Sequence, residues 1–105
     1  MFNNCLLLIF NDKYVAFHVS AMTQTIESAF NSIKGKLLEP NFISYIEDKI
    51  LHKFVHETIK SNKLVCVDVE YLDYLDIIRF FYINHEGDEE IEFQVDCIVK
   101  LIHCQ

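Results

Sequence analysis

The chain has 105 residues, which predicts one domain with its own core, and 51% of them are apolar, which excludes a disordered chain. Two glycines and one proline are few, so long elements are favoured over the many short strands of an immunoglobulin-like sandwich. The net charge of −7 disfavours direct binding of nucleic acid or anionic membranes, because the acidic groups would repel phosphate.

The amino-terminal residues predict a β-hairpin. Residues 5–10 are continuously apolar, and residues 14–20 are rich in aromatic and β-branched side chains. Residues 11–13 between them tolerate left-handed turn conformations. A strand without polar alternation is covered on both faces, so we expect the first strand in the interior of a sheet. We expect His18, on the second strand, to be half-buried or at an edge and not to be a metal ligand.

The next segment predicts two helices. Apolar residues recur at helical spacing over about residues 23–38, with Ser20 or Thr23 as the expected cap. The residue before Pro40 disfavours the helical conformation, so the first helix should end there. A second helix is predicted over about residues 41–61. The apolar positions of the first helix are Ile26, Ala29, Phe30, Ile33 and Leu37.

Three strands are predicted at residues 64–72, 75–84 and 90–102. In the first and last, apolar residues occupy nearly every second position, the period of a strand with one buried face. The middle strand is apolar on both faces and should lie between the other two. The order ββααβββ predicts an α+β fold in which two helices pack on one face of an antiparallel sheet of about five strands. Residues 1–105 should form a single globular domain.

The four cysteines predict no disulfide. Cys5, Cys66, Cys97 and Cys104 include no Cys-x-x-Cys pair, and the amino terminus does not fit a secretory leader. We therefore expect reduced thiols and a cytoplasmic protein. The strand alternation predicts that Cys66 lies opposite the apolar face and that Cys97 belongs to it.

The negative charge is concentrated in residues 63–105, which contain ten acidic side chains against three basic ones, whereas the rest of the chain is neutral. Aromatic residues alternate with these carboxylates, and about half of them should be buried. If Arg79 shares the acidic face, it should pair with Asp68 or Glu92. The aromatic residues concerned are Tyr71, Tyr74, Phe81 and Tyr82. The residues predicted to bind a partner are Asp68, Glu70, Asp73, Tyr74, Asp76, Glu86, Asp88, Glu89, Glu90, Glu92 and Asp96.

Two catalytic hypotheses are weaker. His52 and His56 are four residues apart on one helical face, a spacing used by zinc sites, but Lys53 stands where a metalloprotease has glutamate. Carboxylates on neighbouring strands can hold a divalent cation in a nuclease, yet no lysine accompanies them here and their charge would repel the substrate. We therefore expect neither an enzyme nor a bound cofactor, and keep a metal-binding enzyme or sensor built on these two histidines as an alternative.

Charged and aromatic residues interleaved on a sheet are typical of a protein interface. We therefore predict a small acidic inhibitor that neutralises a basic protein by occluding it, and the partner could be the nuclease domain of a toxin. In general profile the chain is similar to bacterial immunity proteins and to phage proteins that mimic nucleic acid, a likeness of class only. A further alternative is a homodimer through the aromatic sheet face, with the acidity serving solubility.

Overall fold

The computed structural model describes residues 3–46, 64–86 and 89–104. Its elements are β1 (Asn3–Phe10), β2 (Lys13–Val19), α1 (Ile26–Leu37), α2 (Pro40–Tyr45), β3 (Leu64–Leu72), β4 (Ile77–Glu86) and β5 (Glu89–Cys104). The strands form one antiparallel sheet in the order β2-β1-β5-β4-β3, with β1 in the interior and β4 between β3 and β5 as predicted. The predicted α+β class and the ββααβββ order are confirmed. The predicted second helix lies outside the described residues beyond residue 46.

Strand β5 joins two halves of the sheet. Its residues 89–98 pair with β4, and its residues 98–104 pair with β1. Ile98 is the single position that faces both neighbours, Ile77 on one side and Ile9 on the other. Beyond the start of β4, the amide of Val99 donates to the carbonyl of Asp76 at 3.1 Å, which continues the hydrogen bonding along this edge. The sheet is thus two three-stranded units that share one long strand.

The first hairpin and the start of α2 follow the local sequence. Phe10 pairs with Lys13, and the two residues between them close the turn, with Asn11 at a φ of 54°. An asparagine tolerates this left-handed conformation, so the prediction for the turn is confirmed. Glu39 is extended, at a ψ of 139°, and Pro40 begins α2. Proline suits the first helical position because it lacks a backbone N–H, and an N–H at that position would have no partner within the helix.

The cap of α1 differs from the prediction. Thr25 is the N-cap, and its hydroxyl accepts a hydrogen bond from the amide of Ser28 at 3.1 Å. The prediction that Ser20 or Thr23 caps this helix was wrong. These two residues form a separate turn before the helix, in which the Thr23 amide donates to the Ser20 carbonyl at 2.9 Å. The apolar face of α1 is buried as predicted, through Ala29, Phe30, Ile33 and Leu37.

The core lies between one face of the sheet and the two helices. Phe80 of β4 is fully buried and its ring centre lies 5.9 Å from that of Phe10 on β1 and 6.5 Å from that of Phe42 on α2. These contacts connect both halves of the sheet with the second helix. The other strand residues of this core are Leu6, Leu8, Val69, Ile78, Tyr82, Val95, Cys97 and Val99.

A β-bulge on β3 changes which residues face the core. Cys66 pairs with Tyr82 and Asp68 pairs with Phe81, so Val67 is an extra residue on this strand. Val67 is 50% exposed, and Cys66 packs against the core. The alternation predicted the opposite for these two residues, and it was wrong because a bulge shifts the phase of the strand by one position.

The prediction of four free thiols is also wrong. Cys5 and Cys104 form a disulfide with their Cα atoms 5.9 Å apart, whereas Cys66 and Cys97 are not part of a disulfide. The two bonded cysteines are 99 residues apart in the chain. They meet because β1 and β5 are antiparallel neighbours, with Cys5 opposite Ile102, one diagonal step from Cys104. No helix in the described part of the chain is long and apolar enough to cross a membrane.

Candidate protein-binding face

One face of the sheet carries the strand residues that alternate with the core, and no described helix packs on it. We call it the outer face. Its half formed by β3, β4 and the start of β5 is rich in carboxylates and is called the acidic half. The half formed by β1, β2 and the end of β5 is called the apolar half. The acidic half contains Asp68, Glu70, Arg79, Phe81, Ile83, Glu92, Gln94 and Asp96. The apolar half contains Leu7, Ile9, Tyr14, Ala16, Ile98 and Ile102, with the exposed polar residues His18 and Lys100 on the same face.

Arg79 is held by Asp96 at the centre of the outer face. Its Nε and Nη2 atoms donate to the two carboxylate oxygens at 2.8 and 3.1 Å. These hydrogen bonds raise the pKa of Arg79 above its usual value. The prediction that Arg79 pairs with Asp68 or Glu92 was wrong. Those two acids stand opposite Phe81 and Ile83, whereas Asp96 is directly opposite Arg79.

Asp68 is also engaged within the protein. Its carboxylate accepts a hydrogen bond from the Val69 amide at 2.8 Å and lies 3.8 Å from the ammonium group of Lys34 on α1. The first contact stabilises the backbone beside the bulge. The second adds little, because both side chains are about half exposed. Asp68 therefore has a structural role at the edge of the sheet and contributes less charge to a partner.

Glu70 and Glu92 differ from these two acids. Both are exposed, they lie on the strands that flank β4, and neither has an ion pair within the described residues. Together they line a concavity of about 510 Å³. Phe81, Ile83 and Val67 contribute its apolar surface. The remaining lining residues are Asp68, Tyr82 and Gln94. The site therefore combines an apolar floor with two unpaired negative charges.

The predicted acidic patch is divided along β4. Asp73, Tyr74 and Asp76 are exposed in the turn before this strand, whereas Glu86 and Glu89 pair in the hairpin at its other end. A ten-residue strand spans roughly 33 Å, so the two acidic groups lie at opposite ends of this strand. Only the backbone of Glu86, Glu89 and Glu90 is described, and Asp88 lies outside the described residues.

The four aromatic residues occupy different environments. Tyr82 is buried in the core, and Tyr71 packs against α1 with its ring centre 6.1 Å from that of Phe30. The Tyr71 hydroxyl donates a hydrogen bond to Asp76 at 3.1 Å. The pKa of Tyr71 is raised, mainly by desolvation and next by this hydrogen bond. Phe81 is half-buried in the concavity, and Tyr74 is 75% exposed in the distant turn. Phe81 is therefore the aromatic residue best placed to contact a partner.

A second cluster was missed at the sequence level. The Nδ1 atom of His18 lies 3.6 Å from Sγ of Cys5 and 3.8 Å from Sγ of Cys104. We call these three residues the sulfur cluster. The signal that could have found it is the placement of a cysteine near each end of the chain, in strands that become neighbours. His52 and His56, the alternative metal ligands, lie outside the described residues.

Cys97 is a buried thiol of another kind. It is 3% exposed among core side chains, and desolvation raises its pKa to about 12. Because the thiolate is the nucleophile and the metal ligand, such a thiol is inert at neutral pH. Its role is packing.

Comparison with known proteins leaves the function to be inferred from this geometry, since no protein-family model, curated protein or solved structure matches the chain.

Proposed function

We propose that the protein binds a basic protein through the acidic half of the outer face and thereby blocks a functional surface of that partner. The observation that supports this most directly is the concavity lined by Glu70 and Glu92, two exposed carboxylates without an ion pair in the described part of the chain. Exposed charges outside a direct ion pair attract a partner at long range.

A lysine or arginine of the partner fits the chemistry of this concavity. Its aliphatic stem would lie on Phe81 and Ile83, and its charged group would reach Glu70 or Glu92. The Phe81 ring adds a favourable surface for a cation. Arginine suits the site better than lysine, because a planar guanidinium can bond a carboxylate with two donors.

A nuclease domain of a toxin is the kind of partner that this mechanism suits. Its groove carries cations that bind phosphate, and the carboxylates would occupy that groove in place of the nucleic acid. The protein would then act in the cytoplasm, without catalysis and without a cofactor of its own for inhibition. In that reducing compartment the Cys5–Cys104 disulfide would be open for much of the time.

The experiment is affinity capture from the native host with matched baits. Wild-type protein is compared with the double variant Glu70→Lys/Glu92→Lys and with the control Glu27→Lys/Glu39→Lys, whose exposed carboxylates lie on the helix side. Both variants change the net charge equally. We expect a basic protein to be retained by the wild type and the control and to be lost from the outer-face variant.

An acidic or neutral partner, or equal loss with both variants, would contradict the proposal. Circular dichroism on each bait shows whether the variant is folded, which separates loss of the interface from loss of the structure.

Self-association is a second candidate, supported by exposed side chains in the apolar half. Ile98 is 53% exposed and pairs in register with Ile9, and Tyr14 stands on the other side of Ile9. Sedimentation of the purified protein tests it, with Ile98→Lys as the variant expected to convert a dimer to a monomer. A wild-type protein that is monomeric at every concentration would exclude this candidate.

A further inference from the structure

The sulfur cluster places three metal-ligating side chains at one corner of the outer face. Cys5 on β1 stands directly opposite His18 on β2, and Cys104 comes from β5 on the other side of β1. Their ligand atoms all lie within 4.8 Å of one another. Three adjacent strands of one sheet hold these residues, so their spacing is set by the hydrogen-bonded backbone and not by a loop.

The distances resemble those of a zinc site. In tetrahedral zinc coordination, bond lengths of about 2.3 Å to sulfur and 2.0 to 2.1 Å to nitrogen place a nitrogen and a sulfur ligand roughly 3.5 Å apart. The nitrogen of His18 lies 3.6 and 3.8 Å from the two sulfur atoms. The histidine therefore already stands where a third ligand would be required.

We propose that the protein with the Cys5–Cys104 disulfide reduced binds one zinc ion through Sγ of Cys5, Sγ of Cys104 and Nδ1 of His18. Zinc binds well to a set of two thiolates and one imidazole, whereas magnesium and calcium prefer oxygen ligands. The fourth position stays open to water or to an atom of a partner. His103 does not fill it, because it follows Ile102 on β5 and so belongs to the opposite face of the strand.

The disulfide and the metal are alternatives at one site. A dithiol or a phosphine supplies two electrons and breaks the sulfur–sulfur bond, and protonation gives two thiols. Zinc then displaces both protons as it binds the two thiolates. The sulfur atoms must separate to about 3.8 Å in the tetrahedral site, and Cys104 can move more easily because it is less buried than Cys5. Oxidation of the two thiolates by a peroxide would form the disulfide again and release the ion. The peroxide takes the two electrons, together with two protons from solvent, which converts hydrogen peroxide to water, or an organic peroxide to an alcohol and water.

The experiment is a zinc titration of the full chain in both redox states. The protein is reduced with a phosphine, which is then removed without oxygen, and Zn²⁺ is added in competition with a chromophoric chelator. Replacement of zinc by Co²⁺ gives charge-transfer absorption that arises from the thiolate–metal bonds. We expect one ion per chain in the reduced protein, thiolate bands with cobalt, and no stoichiometric binding to the oxidised protein.

Two histidine variants give the matched comparison. His18→Asn should weaken zinc binding by roughly 100-fold or more, since loss of a group that merely orients a ligand already costs 10- to 100-fold. His103→Asn, on β5 and on the opposite face of the sheet, should bind as the wild type does. Both side chains are exposed, so neither change is expected to unfold the protein.

A cysteine variant decides where the ion is held. Cys5→Ser/Cys104→Ser should lose the ion, whereas Cys66→Ser should keep it. Zinc that remains in the double variant would place the ion elsewhere, for example at His52 and His56, and would overturn the proposal. Equal affinity in the two redox states, or equal effects of the two histidine variants, would overturn it as well.

Discussion

Arg79 and Asp96 form a two-pronged ion pair across β4 and β5, with both donor atoms of the guanidinium within 3.1 Å of the carboxylate. The pair neutralises one of the acids of the outer face and holds a cation beside Glu70, which stands opposite Arg79 on β3. The charge available to a basic partner is therefore smaller than the sequence implies, and Arg79 opposes the attraction.

The first prediction concerns this cation. Arg79→Gln should raise the association rate with a basic partner by roughly two- to fivefold at low salt, because it releases Asp96 and removes a repulsive charge from the interface. The measurement is stopped-flow or surface-based kinetics. Lys36→Gln, on the exposed side of α1, changes the net charge equally and should leave the rate nearly unchanged. A slower association of the Arg79 variant would mean that the arginine itself contacts the partner.

The second prediction is that salt slows the association with that partner. Charges are screened over about 30 Å at 0.01 M ionic strength and about 8 Å at 0.15 M, so the wild-type rate should fall steeply across this range. The variant Glu70→Lys/Glu92→Lys should associate at least about tenfold more slowly at low salt and should respond less to salt. An association rate that does not depend on salt would contradict this prediction and would indicate that the acidic residues serve solubility.

The third prediction compares two neighbouring aromatic residues. Phe80→Ala should lower the free energy of unfolding by about 3 to 5 kcal/mol, because its side chain is fully buried and the change leaves a cavity. Phe81→Ala removes the same atoms on the outer face, where the ring is half-buried, and should cost clearly less stability while weakening partner binding. Urea denaturation measures the first effect and titration calorimetry the second. Equal losses of stability would show that the outer face is also packed.

The fourth prediction follows from the raised pKa of Cys97, about 12 in the folded protein against an ordinary 9.0. The neutral thiol is favoured in the folded state, so its contribution to stability is complete below pH 9 and is lost as the pH rises toward 12. The slope from this one group is at most about 1.4 kcal/mol per pH unit.

Denaturation at several alkaline pH values measures this slope, and Cys97→Ala should flatten it. Tyr71 contributes in the same direction, because its pKa is also raised, so some slope should remain in the variant. In the folded protein at pH 8, the raised pKa keeps Cys97 in its neutral thiol form, so alkylation should label Cys66 first. Rapid labelling of Cys97 would contradict its burial.

The fifth prediction concerns the disulfide. Unfolded protein that has not been reduced should contain two free thiols, from Cys66 and Cys97. Reduction in the absence of metal should lower the free energy of unfolding by about 2 to 5 kcal/mol, since the bond closes a loop of nearly the whole chain. Four free thiols in protein purified under air would contradict the bond. A count of four thiols would not contradict the proposed zinc site, because that site requires reduced cysteines.

The sequence alone was enough to predict the element types and the fold class. Hairpin, helix and strands were recognised because hydrophobic spacing, a turn residue such as Asn11 and the break before Pro40 are local properties of the backbone. The sequence also predicted where the acidic side chains of residues 63–105 lie. Strand alternation assigns Glu70, Glu92 and Asp96 to the face opposite the apolar residues, without any knowledge of which strands are neighbours.

Tertiary structure decided the features that depend on pairing between distant segments. Register across β4 and β5 chose Asp96 as the partner of Arg79, and a bulge at Val67 reversed the facing of Cys66. Neither has a local signature, because cross-strand partners are set by the alignment of whole strands. The sulfur cluster depends on the same cause. Cys5, His18 and Cys104 meet only because β5 crosses from one hairpin to the other and pairs with β1, so residues from opposite ends of the chain share one corner of the sheet.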